Sequence, residues 1–288
     1  MVTWPRRFSV TAACTALVLT AGCAGETSPP QAQTPSRTDT ATETPTEAEP
    51  EGLAMTCSGS SGPVVVLEAG LDTSGDVFEA LVAELGDQRV CISDRAGVGI
   101  SPPLASSDPD PWPGSAADAL AETLAANGQQ PPYVMLGWSY GGMVAQAFAT
   151  RHPDLVAGLV LEDASVPEQF EDLAWQDIDW VDGGRPVNKN KSVKELSTVD
   201  FGDLPVVVLT ADYPPARTTV LWTGYQQRLT RSTTNAVHLL AVRSDHEIHV
   251  DALDLVAAAV REVVSAGDGD ALKPCDPRFT KLGGRCLP

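Results

Sequence analysis

Ser139 stands in the pentapeptide Gly137-Trp138-Ser139-Tyr140-Gly141, preceded by the apolar run at 133–136 and followed by the helix-compatible run GGMVAQAFAT. The spacing is G-x-S-x-G, the pattern of a serine held at the tip of a strained strand-to-helix turn. There the residues two before and two after it have no room for side chains. A serine so placed becomes a nucleophile when a base takes its proton and an acid orients that base. The chain has four histidines. His152 ends the helix expected after the turn, at the opposite edge of a sheet from Ser139, and His238 lies inside the apolar run VHLLAV. His246 follows that run by a few polar residues and His249 is three residues on, so these two are the candidate bases. Two aspartates end apolar runs, Asp163 in GLVLED and Asp212 in PVVVLTAD. Both satisfy the chain order Ser, Asp, His, and residue types alone leave the choice between them open.

The elements that must position these residues alternate. Strand-like runs are LAMTC, VVVLEAG (64–70), RVCISD (89–94), the run before Ser139, GLVLED (158–163), PVVVLTAD (205–212) and VHLLAV (237–242). Helix-like stretches fall near 77–85, 116–126, 219–229 and 251–265, with Ser115 and Asp118 spaced as a capping box for the second. Continuous Val/Leu runs suit strands buried on both faces of a parallel sheet, and the alternation makes an α/β domain. Ligands bind such sheets beyond the carboxyl ends of the strands, which directs attention to Gly70-Leu71-Asp72 and to the loop 94–101.

Lys and Arg total 19 against 38 Asp and Glu, a net charge of −19, which argues against nucleic acid as a partner. With 43% hydrophobic residues the chain can bury a sizeable core, yet no internal apolar run reaches the length of a membrane span. Residues 1–23 carry Arg6 and Arg7, an apolar stretch and a small-residue end, the layout of an export signal. Their end, Leu-Thr-Ala-Gly-Cys, resembles the lipobox of bacterial lipoproteins, which implies lipidation (palmitate) of Cys23 and a membrane anchor on the outer face of the cell, or secretion if the segment is simply cleaved. Residues 24–52 are Thr/Pro/Glu-rich with almost no apolar residues and are expected to be a disordered tether.

LEAG, DRAGVGIS, GWSYGG, LVLEDAS and SDHEIHVDAL, in that order, resemble the α/β-hydrolase superfamily over residues 53 to about 265. The resemblance implies an α/β-hydrolase fold, a mostly parallel central sheet flanked by helices, spanning 53–266 and followed by a C-terminal tail at 267–288. It implies Ser139 as nucleophile and His246 as base, although Asp245 stands where the family has a glycine. It favours Asp163, which matches an LVDAS-like motif, while Asp212 occupies the position from which most members take their acid and stays as the alternative. The backbone amides of Leu71 and Tyr140 would form the oxyanion hole, with Glu68 and Asp72 facing away and Arg95 pinning loops beside the turn. The implied activity is cleavage of an ester or amide of a small-molecule acyl substrate through an acyl-enzyme, with no cofactor and no metal. A peptidase of the same fold and a non-catalytic surface-tethered binding protein are the alternatives.

Residues from about 164 to 204 fit a short cap insertion, whose Trp175 and Trp180 either shape an apolar acyl pocket or pack down on the domain, beside a basic patch of Lys189, Lys191 and Lys194. Outside the export segment there are four cysteines, an even count that suggests two disulfides in an exported chain. In the fold implied, Cys57 and Cys91 lie on neighbouring strands, and Cys275 with Cys286 closes the tail.

Overall fold

Long uninterrupted apolar runs become the interior strands of one eight-stranded sheet. The computed structural model describes residues 52–213, 217–267, 271–273 and 275–288, all within one unit, 48–288. The export-type segment 1–23 with Cys23, and the Thr/Pro/Glu-rich stretch up to residue 51, lie outside the described residues. In chain order the elements are β1 (Met55–Ser58), β2 (Ser61–Glu68), α1 (Glu79–Leu85), β3 (Gln88–Ser93), α2 (Pro113–Ala126), β4 (Tyr133–Trp138) and α3 (Tyr140–Arg151). Then come β5 (Val156–Glu162), β6 (Val181–Asp182), β7 (Arg185–Pro186), α4 (Lys189–Leu196), β8 (Val206–Ala211) and α5 (Arg217–Leu229). The chain ends with β9 (Ala236–Ala241), α6 (Ile248–Asp251), α7 (Leu253–Gly267), α8 (Pro277–Lys281) and β10 (Gly284–Cys286).

The sheet order is β1-β3-β2-β4-β5-β8-β9-β10, with the six inner strands parallel and the two edge strands antiparallel. Alternate residues of each strand serve two cores. Val65, Leu67, Val134, Leu136, Val207 and Leu209 face α1 and α7, whose Leu81, Leu85, Val256 and Val260 fill that side. Val64, Val66, Met135, Val206 and Val208 face α2 and α3, meeting Leu120, Leu124, Met143 and Phe148. Both faces of β4 and β8 are therefore dry, which is why their sequences show no polar alternation.

Several local expectations shift. The helix expected from 116 starts at Pro113, because a proline suits the first helical position and Trp112 is already extended. Ser115 then sits in the first turn, taking the Trp112 N–H (3.0 Å) and donating to the Trp112 carbonyl (2.9 Å), and Asp118 pairs with Arg151 instead of capping. The last helix is two, α6 and α7, broken at Ala252. The tail 267–288 is more than an appendage, since β10 adds the eighth strand by pairing with β9.

Both disulfides are present, Cys57–Cys91 and Cys275–Cys286. Cys57 and Cys91 are direct cross-strand partners of β1 and β3, with Cα atoms 4.1 Å apart, and Cys275–Cys286 ties the loop before α8 to β10. A cross-link spanning 34 residues restricts the unfolded chain enough that replacing Cys57 and Cys91 by alanine is expected to cost about 2–4 kcal/mol. Urea unfolding would show this as a lower midpoint, and an unchanged midpoint would refute it.

Candidate active site

Ser139 occupies the turn between β4 and α3 with φ 52° and ψ −122°, a conformation that side chains rarely adopt. The turn closes because its flanks are bare: a Cβ on Gly141 would lie 2.1 Å from the Glu68 carbonyl oxygen, and one on Gly137 would lie 2.4 Å from the Gly141 oxygen. Three backbone bonds hold the strained residue, Ser139 N to the Glu162 carbonyl (3.1 Å), and Gly142 N (2.9 Å) and Ser165 N (2.8 Å) to the Ser139 carbonyl. In the β4/β5 pairing Trp138 stands opposite Glu162. Ser139 and Asp163 thus leave two adjacent parallel strands at one level, and Asp163 also has positive φ, 40°.

Asp163 is fully buried, and its Oδ2 lies 2.6 Å from Nδ1 of His246. The rest of the carboxylate is saturated: Oδ1 accepts from Ala211 N (3.0 Å) and Trp222 Nε1 (2.7 Å), and Oδ2 also accepts from the Tyr213 hydroxyl (2.6 Å). Tyr213 and Trp222 were not singled out by sequence, for nothing marks an aromatic on β8's exit or on α5 as the partner of a carboxylate on β5. Burial, and after it the charge of Asp163, pushes the Tyr213 phenol above its ordinary value, so it serves as a donor. Of the two candidate acids, Asp163 is the one at His246; the Asp212 carboxylate accepts the Arg243 N–H (3.0 Å). The reason is register. Glu162 pairs with Leu209, so Asp212 emerges two residues, roughly 6–7 Å, farther along than the level of Asp163.

The other histidines are accounted for. His152 follows α3 and lies 3.0 Å from Asp118. His238, inside β9, has Nε2 2.8 Å from the Thr210 hydroxyl, and burial pushes its pKa down to about 4. His249 sits on α6 against Glu162.

Leu71 follows the end of β2, and Tyr140 opens α3, whose first-turn amides lack intrahelical acceptors. A buried arginine fixes the β2 loop: Arg95 donates to the Ala69 carbonyl (2.8 Å) and the Gly70 carbonyl (2.6 Å). Its other face forms a fork to Asp182, Nε and Nη2 each 2.8 Å from a carboxylate oxygen, while Nη1 is 3.5 Å from Glu68. Burial opposes the guanidinium charge, but Asp182 and then Glu68 outweigh it and hold its pKa above the ordinary value. The Glu68 carboxylate is taken up by Ser93 (2.8 Å) and Arg95, and the Asp72 carboxylate accepts from Gly183 N (3.0 Å). Asp182, beside the turn of the β6–β7 hairpin, also accepts the Asp72 N–H (2.8 Å). No local signal marks Asp182, since its partner lies 87 residues earlier in the chain.

A family model for the alpha/beta hydrolase fold matches residues 62–205, half of the chain. The chain belongs to that family. Among curated relatives of this α/β hydrolase, a pimeloyl-[acyl-carrier protein] methyl ester esterase of Chromobacterium violaceum is 42% identical over 116 residues, covering 40% of this chain and 41% of the relative. Lipase LipV of Mycobacterium tuberculosis is 36% identical over 109 residues, 38% of this chain and 40% of that protein. The chain thus spans about four-tenths of the length of each. YqjL of Bacillus subtilis is 26% identical over 219 residues, 71% of this chain and 85% of its own length. Among solved structures, an esterase of Thermogutta terrifontis superposes with a TM-score of 0.59 at 20% identity, covering 75% of this chain and 93% of the other, a likeness of fold.

In this α/β hydrolase the insertion between β5 and β8 holds β6, β7 and α4. Its two tryptophans sit in different surroundings. Trp180 is buried and packs edge-on against Phe170, centroids 4.5 Å apart. Trp175 is half-buried and lies against Trp222 and Tyr225 of α5, at 5.9 and 5.6 Å, next to the aromatic that holds Asp163. Lys189, Lys191 and Lys194 are exposed on α4, with Lys191 Nζ 3.7 Å from the centre of the Trp112 ring. Asp182 is the buried ion-pair partner that the insertion gives to Arg95, so Asp182→Ala, which removes the fork on a buried arginine, is expected to cost about 3 kcal/mol of stability. Chemical denaturation measures this, and a loss below about 1 kcal/mol would place the anchor elsewhere.

Proposed function

We propose that this protein is a serine hydrolase that cleaves a carboxylic ester of a small acyl substrate through an acyl-enzyme. The observation that carries the reading is the 2.6 Å contact between Asp163 and His246 Nδ1, at the strand level from which Ser139 leaves β4. In the proposed cycle His246 takes the Ser139 proton as Oγ attacks the substrate carbonyl, then returns it to the departing alcohol. Asp163 fixes the tautomer with Nδ1 protonated, leaving Nε2 as the accepting nitrogen, and stabilises the imidazolium as it forms. The amides of Leu71 and Tyr140 would receive the oxyanion, a contribution of about 3 kcal/mol each. Water activated by His246 then releases the acid. Relatives named as a methyl ester esterase and a lipase support ester chemistry, and the aromatic ring cluster of Trp175, Trp222 and Tyr225 beside Asp163 suits an apolar acyl group.

The layout of residues 1–23 supports export, and Cys23 at their end supports a lipid anchor, with residues 24–52 as the spacer that keeps the domain off the membrane.

A fluorophosphonate probe should label the full-length protein and fail on Ser139→Ala; absence of labelling on wild type would leave a non-catalytic role for the scaffold. Asp163→Asn should lower kcat/KM on short-chain nitrophenyl esters by about 10³–10⁴, because the tautomer that His246 needs is lost. Asp212→Asn should stay within about threefold of wild type, and equal effects of the two would reject the assignment. Expressed in a bacterial host fed an alkyne fatty acid, the wild-type chain should carry the tag in the membrane fraction, and Cys23→Ala should not; tagging of both would remove Cys23 as the anchor.

A further inference from the structure

Beside the candidate acid and base stand two further titratable side chains that the proposed chemistry leaves unused. Glu162, the last residue of β5, directly precedes Asp163 and is fully buried. His249, on α6 three residues after His246, is buried as well. Glu162 Oε1 accepts the His249 backbone N–H at 2.7 Å and lies 2.8 Å from its Nδ1, so one oxygen holds both the ring and the chain. Trp138, the residue before Ser139, fills the space between the two histidines. Its ring centre is 5.3 Å from His246 and 4.9 Å, edge-on, from His249, and its Nε1 donates to the His246 carbonyl at 2.8 Å. Phe78 lies against His249 with ring centroids 4.9 Å apart.

As a device for stability the pair is a poor one. Among the described residues Glu162 Oε2 and His249 Nε2 have no hydrogen-bond partner. A buried carboxylate and imidazole with unmatched atoms hold a fold no better than two well-packed apolar side chains. What the arrangement supplies is position. The Glu162 carboxylate clamps the first turn of α6 to the end of β5, and the same strand end carries Asp163, so the clamp sets the separation across which Asp163 reaches His246.

We infer that Glu162 and His249 are positioning residues of the proposed hydrolase, a second carboxylate–imidazole pair that, with Trp138 between the histidines, sets where His246 stands relative to Asp163 and Ser139. The inference rests on the hydrolase reading above. Burial by itself lowers the His249 pKa, but the Glu162 carboxylate, with Glu247 and Asp251 adding to it, carries the pKa above the ordinary histidine value.

The full-length protein tests this with Glu162→Gln and with the apolar double variant Glu162→Leu/His249→Leu. Three quantities are read: the rate of fluorophosphonate modification, the melting temperature, and the low-field proton NMR signal of His246 Nδ1–H. Glu162→Gln keeps an acceptor oxygen while losing the charge, and the double variant fills the space while losing the clamp. The expected result is a slowing of modification by about 10–100-fold in both variants, as a displaced base produces, larger in the double variant. The His246 proton signal should broaden in both, while the double variant melts within a few degrees of wild type. Modification at the wild-type rate in Glu162→Gln, with the His246 signal unchanged, overturns the inference. If the double variant instead fails to fold, Glu162→Gln alone decides by the same two readouts. If wild type itself resists the probe, the hydrolase reading falls, and the His246 signal still reports whether the pair positions the ring.

Discussion

The pairing of β4 with β5 is the constraint on which the rest of the molecule depends. With Trp138 level with Glu162, the two strands end together, and the next residue on each is a functional candidate in a left-handed backbone conformation. Such residues are costly where they stand alone, of order 1–3 kcal/mol each, and persist where their surroundings over-determine them. Here the surroundings are two strands buried on both faces and backbone bonds that tie Ser139 to Glu162 and Ser165, and Asp163 to Leu209. A slip of one residue in this pairing would turn the side chains of one strand over and part Ser139 from Asp163.

Charge does locally what register does across the sheet. Arg95 gathers the carbonyls of Ala69 and Gly70, the acid of β2 and the acid of the β6–β7 hairpin into one buried cluster. Held this way, the loop that presents the Leu71 amide does not depend on its own short sequence for shape, and a preorganised donor needs that fixity. The same cluster ties the insertion to the body of the α/β hydrolase, so the cap and the candidate oxyanion loop share one anchor. At the other side of the turn, Asp163 takes donors from four directions, from β8, Tyr213, α5 and His246, leaving it a carboxylate with no freedom to rotate.

Much of this was legible in the residues alone, and the reasons are local. G-x-S-x-G marks the turn because glycine is demanded by contacts within a few residues and by one neighbouring strand. The unbroken Val/Leu runs mark the inner strands because both faces of a parallel sheet are dry. His246 stood out by following the last inner strand, the Cys57–Cys91 pairing followed from the strand neighbours that the family resemblance implies, and Cys275–Cys286 from their closeness in the tail. Short-range reading failed at Ser115, where a proline two residues earlier began the helix sooner, and at β10, whose three residues become a strand by lying along β9 with a disulfide to hold them.

By itself, then, the sequence determined the fold class, the serine at the turn and the short list of bases and acids, since each depends on residues close together in the chain. Which of Asp163 and Asp212 stands against His246 belonged to the tertiary structure. Both end parallel strands and both satisfy the chain order, but the offset between β5 and β8 sets Asp212 past the level of Asp163 and brings the Tyr213 hydroxyl onto the Asp163 carboxylate. Asp182 and the Glu162–His249 pair were likewise decided only in three dimensions, because their partners lie 87 residues apart in each case and the contacts exist only once the sheet has brought the loops together.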